Sequence, residues 1–148
     1  MKAVVIHAPG APEQLVMADV AEPSPGPGEV LIDVAFAGCN WADTQIRTGI
    51  YPHPFTYPLV LGFEISGAVS KLGPDVTGVK VGDRVATFVE KGGAYAEKAI
   101  AAANILVPLA RRNPLRRRRR SRGPADDRLS QARPFRMPHV PSVHFRPR

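Results

Sequence analysis

Between Cys39 and Tyr51 the stretch "CNWADTQIRTGIY" gathers a thiol, an amide, a carboxylate, a guanidinium and a phenol, and "GFEISG" adds the carboxylate of Glu64 between Gly62 and Gly67. These are the side chains able to donate hydrogen bonds, move protons or act as nucleophiles. Each has a structural use as well. Asn40 is a good helix N-cap and Asp43, three residues on, completes half of a capping box. Tyr51, flanked by Ile50 and Pro52, suits an aromatic packed beneath a loop. Cys39 is the only cysteine, so no internal disulfide forms, and a small buried thiol is favoured over a reactive one. Glu64 reads first as structural, a buried carboxylate with no partner identifiable from sequence. Arg47 could meet a phosphate, but an exposed helix arginine is the commoner case. His7 and His53 lack any metal-ligand spacing.

The elements that must hold these groups are short strands. "KAVVIHA" and "EVLIDVAFA" are rich in Val and Ile, and the second alternates Leu31, Asp33, Ala35 and Ala37 with Val30, Ile32, Val34 and Phe36, the pattern of a half-buried strand. "EPSPGPGE" can only be a tight loop. "NWADTQIRTG" predicts one short helix, capped by Asn40 and stopped by Gly49 in the left-handed conformation. "GFEISGAVSKLG", "GDRVATFV" and "GAYAEKAI" give three more β segments. Many short strands with one or two small helices predict a mainly β, barrel-like domain over residues 1–110.

The charge divides at Ala110. Residues 1–110 carry 7 basic and 11 acidic side chains, whereas 111–148 carry 13 and 2, so the formal net charge of +7 and the pI near 10.2 describe the second segment. Its Arg- and Pro-rich composition cannot bury enough apolar surface to offset chain entropy, and disorder is expected. A lone cysteine and no signal-like start predict the cytoplasm. No apolar run approaches the ~20 residues needed to span a bilayer.

At "PGPGEVLIDVAFAGCNWADTQIRTGIYP", "YPLVLGFEISGAV", "VKVGDRVATF" and "GGAYAEKAI" the sequence resembles the zinc-independent quinone oxidoreductases, the zeta-crystallin-like branch of the medium-chain dehydrogenases, in order from Lys2 to about Pro108. The resemblance implies a GroES-like catalytic domain, in that family followed by a nucleotide-binding Rossmann domain. Nothing in this chain matches GxGxxG after a strand, so that second domain is expected to be absent. It implies hydride transfer from NADPH, or NADP(H) more generally, to a quinone or related enone, and it implies that Asn40, Asp43 and Tyr51 line the cleft facing the nicotinamide. Asn40 and Tyr51 would be the catalytic donors, Asn40 and Asp43 the cofactor contacts. Zinc is not expected: Asn40 stands where the zinc-dependent branch has a catalytic cysteine, Cys39 falls one place early, and Phe63 replaces the histidine before Glu64.

The resemblance stops where a linker like "LPDG…F…AAA…TAYH" belongs. Joining the last two bases of each codon from Ala110 onward to the first base of the next permits "PDGIPFDDAAALAV", two open positions, then "MTAYH". A one-base insertion near the Leu109 codon therefore predicts a truncated catalytic domain, by itself inactive, with an out-of-frame tail. The rival expectation is a non-enzymatic protein whose basic arm binds nucleic acid or another polyanion. Such an arm would lack a stacking platform, since Phe135 and Phe145 are its only aromatics. The natural acceptor, the choice between NADPH and NADH, and the oligomeric state stay open.

Overall fold

A computed structural model describes residues 1–52 and 55–110. Expectations placed on residues 111–148 and on His53 lie outside the described residues. The chain runs β1 (Lys2–Ile6), β2 (Val16–Asp19), β3 (Glu29–Gly38), α1 (Trp41–Thr48), β4 (Leu59–Val60), β5 (Glu64–Leu72), β6 (Arg84–Phe88), β7 (Lys98–Ala102) and β8 (Val107–Pro108), with single 3-10 turns at Pro12–Gln14 and Ala103–Ile105. The expected mainly β architecture is present.

Two sheets form it, a three-stranded one ordered β2-β1-β4 and a five-stranded one ordered β7-β3-β5-β6-β8. Every pairing is antiparallel. The sheets are stitched by an Ala3–Ala96 bridge, by the Val4 amide donating to the Tyr95 carbonyl at 2.8 Å and by the Glu97 amide donating to the Lys2 carbonyl at 3.0 Å. Val30, Ile32, Ile65, Val69 and Val85 make the core of the larger sheet, while Ile6, Ile46, Leu61 and Phe63 anchor α1 against β1.

β3 departs from simple alternation. Val30, Leu31 and Ile32 are all buried, so the near end of β3, the strand between β5 and β7, is covered on both faces. Register shifts at Leu31/Ile32 and Val34/Phe36 then re-aim the strand, and Phe36 emerges exposed. Gly67, on β5 opposite this irregularity, lies against the β3 backbone: a Cβ there would sit 2.1 Å from the Asp33 carbonyl oxygen. Only glycine lets the two strands approach so closely.

Helix α1 forms as its ends dictate. Asn40 and Asp43 make the capping box, and Gly49 adopts φ 79°, its amide donating to the last-turn carbonyls of Gln45 and Ile46. Buried Ile46 turns one face of the helix into the core.

Candidate active site

The bend of β3 into α1 and the start of β5 bring the predicted residues together. Asn40 and Tyr51 line one open cleft of about 440 Å³, together with Phe55, Phe63, Glu64, Phe88 and Glu90. Its floor is aromatic: Phe63 and Phe88 stack at 5.9 Å between centroids, and Phe55 meets Phe63 edge-on at 6.0 Å. Tyr51 leans on Phe55 at 6.0 Å. A flat ring would find π-faces here and hydrogen-bonding groups at the rim.

Asp43 takes a different place. It is 6% exposed and does not line the cleft; its Oδ2 accepts the Asn40 amide at 2.7 Å and the Tyr95 hydroxyl at 2.9 Å. Its Oδ1 is buried with no partner among the described residues. Burial, followed by hydrogen bonding to Cys39 and to Asp43, holds the Tyr95 phenol well above its ordinary value. Asp43 thus ties the Asn40 backbone to Tyr95, a residue that the sequence alone did not single out.

Other expectations change. Cys39 is exposed, because β3 has left the core by that point. Glu64 is exposed too: β5 starts there, opposite Gly38 in register, and the carboxylate extends across the glycine, its Oε2 2.8 Å from where a Gly38 Cβ would stand. Arg47 is half-buried, not exposed, and donates from Nη1 to the Gly10 carbonyl, tying α1 to the loop after β1. Phe88 and Glu90, at and just beyond the end of β6, were also missed, since nothing in "ATFVEKGG" marks a cleft. Because Cys39 is exposed, the native chain is expected to react with a thiol reagent such as dithionitrobenzoate to one equivalent within minutes. A thiol that reacts only after denaturant is added would contradict its placement.

Among the described residues, no group of three or more His, Cys, Asp or Glu side chains could hold a metal ion, and no helix is long and apolar enough to cross a membrane. Residues 26–111 match the alcohol dehydrogenase GroES-like domain. The chain belongs to that domain family. It is 41% identical over 108 residues to a 2-haloacrylate reductase of a Burkholderia species, covering 71% of this chain and 32% of the relative, and 42% identical over 108 residues to a quinone oxidoreductase of Pseudomonas aeruginosa, covering 73% and 33%. A crystal structure of Escherichia coli quinone oxidoreductase complexed with NADPH superposes with a TM-score of 0.70 at 34% identity, over 74% of this chain and 33% of that one. The resemblance to quinone oxidoreductases is thereby borne out for this GroES-like domain, which spans about a third of the length of those relatives.

Proposed function

We propose that this GroES-like domain is the acceptor-binding half of an NADPH-linked reductase of quinones or related enones. The carrying observation is the placement of Asn40 and Tyr51 on one aromatic-floored cleft. Asn40 lines the cleft, and its side-chain NH2 is a donor available to a ligand there. No hydrogen bond to a described residue engages the Tyr51 hydroxyl. Two donors placed where negative charge develops on an acceptor oxygen favour hydride transfer to it. NADPH, when bound, supplies that hydride.

This half-domain is read as too little to hold a whole dinucleotide. A pyrophosphate is favoured by free amides at a helix N-terminus, and at the start of α1 the Asp43 carboxylate already takes the Asn40 amide and brings its own negative charge. Asp43 is accordingly read as the support of Asn40, in place of a direct cofactor contact. Trp41, Ile50 and Phe88 are exposed, with Phe88 in the cleft, Trp41 next to Asn40 and Ile50 next to Tyr51; such an apolar rim suits a second, nucleotide-binding domain.

Residues 111–148 are read as the interdomain linker translated in the wrong frame. Titrating this chain with NADPH, followed by cofactor fluorescence, should give no saturation below about millimolar. Saturable micromolar binding would overturn the half-site reading.

A further inference from the structure

The rim of the cleft carries a charge pattern beyond the two donors. Glu64 and Glu90 both line it, both exposed, one from the start of β5 and the other just past the end of β6. Among the described lining residues there is no Lys, Arg or His. Arg47 is turned to the Gly10 carbonyl, and Lys98 is held 2.9 Å from Glu22 and 3.7 Å from Asp33. Lys91 lines the neighbouring groove and not the cleft.

Building on the acceptor reading above, we propose that Glu64 and Glu90 are specificity-determining residues that exclude anionic acceptors and restrict the cleft to uncharged planar ones. The Phe63–Phe88 stack favours a flat, polarisable ring with no requirement for charge. A carboxylate-bearing ligand brought onto that stack meets two like charges with no Lys, Arg or His among the described lining residues to answer them. At low salt, two like charges several ångströms away in water weaken binding by up to about tenfold. The distinction matters because one relative is named for a haloacrylate, a small carboxylate, and others for quinones. By its charge this cleft belongs with uncharged acceptors.

The test uses the full chain, 15N-labelled, and two ligands that share one ring: a trimethyl-1,4-benzoquinone bearing a short carboxylate side chain, and its methyl ester. Full ring substitution leaves no carbon open to addition by Cys39. The ester is expected to shift the amides of Gly62–Ile65 and Thr87–Glu90, and the carboxylate to bind about tenfold more weakly, with the gap shrinking as salt is raised. The double variant Glu64→Gln/Glu90→Gln should bring the two ligands within twofold, with amide dispersion reporting that it is folded. Equal binding of both ligands to the unaltered chain would overturn the charge filter and leave the acceptor reading standing. Shifts from neither ligand would overturn both. A gap that persists in the folded double variant would assign the discrimination to other groups and overturn the role given to Glu64 and Glu90.

Discussion

Gly67→Ala is expected to cost this domain a large part of its stability. The added methyl would stand 2.1 Å from the Asp33 carbonyl oxygen and 2.8 Å from Ile32 Cγ2. The first of these is backbone in the adjacent strand of the same sheet, which cannot rotate away as a side chain can. β5 pairs with both β3 and β6, so pushing it off β3 disturbs the middle of the larger sheet and the core formed by Val30, Ile32, Ile65 and Val69. Overpacking against fixed backbone costs on the order of 3 kcal/mol or more, a large part of a small domain's stability. Gly78→Ala is the matched control: φ is 78° there, but a Cβ meets nothing within 4 Å, so only backbone strain of about 1 kcal/mol is incurred. Urea denaturation of the two variants followed by circular dichroism compares them. Equal midpoints would show that β3 and β5 are not packed as closely as described.

If the proposed frame reading holds, removing one base near the Leu109 codon should give an NADPH-dependent quinone reductase where the present chain is expected to show no activity. The corrected frame is expected to continue through the linker into a nucleotide-binding domain, provided that the downstream DNA encodes one. Holding nicotinamide and acceptor against each other replaces a bimolecular encounter, and a gain on the order of 10³-fold or more over the present chain follows. NADPH oxidation with a quinone, in the presence of a chelator, measures it. Within the restored protein Tyr51→Phe should lower turnover by roughly 100-fold if the phenol donates to the acceptor oxygen, while the unfolding midpoint stays put. Unchanged turnover would reduce Tyr51 to the packing role that its contact with Phe55 also allows. A corrected frame that runs at once into stop codons would remove the frame reading.

What could be read from the sequence follows from how local its cause is. α1 was legible because Asn40, Asp43 and Gly49 act within a turn of themselves. β1 and β3 announced themselves through Val- and Ile-rich runs, and β5, β6 and β7 as segments set off by Gly or Asp turns. β4 and β8, two residues each, carry no period to detect, and β2 ("VMAD") was passed over within a stretch read mainly for its Pro- and Gly-rich loop. Burial was harder than secondary structure. Cys39 and Glu64 sit in apolar company in the sequence, yet both stand where strands leave or enter the sheet, and only the pairing of Gly38 with Glu64 reveals this. Of the cleft, Asn40 and Tyr51 were found through family likeness. Glu90, Phe88 and the Tyr95–Asp43 link depend on contacts between residues far apart in the chain, up to 52 positions for the last.

The short strand β8 carries a consequence for how such a chain endures in a cell. Val107 and Pro108 pair with Ala86 and Val85, and the Leu109 amide donates to the Arg84 carbonyl at 2.8 Å, closing the exposed side of β6. The proposed frame change falls directly after that last bond. A break a few residues earlier would strip β8 away and leave the edge of β6 open to pairing with other chains. Placed there, the proposed lesion would separate catalysis from folding: a ribosome reading such a gene would still deliver a domain whose β6 edge is covered at residues 84–86 by a two-residue strand, too short to offer other chains a long pairing edge.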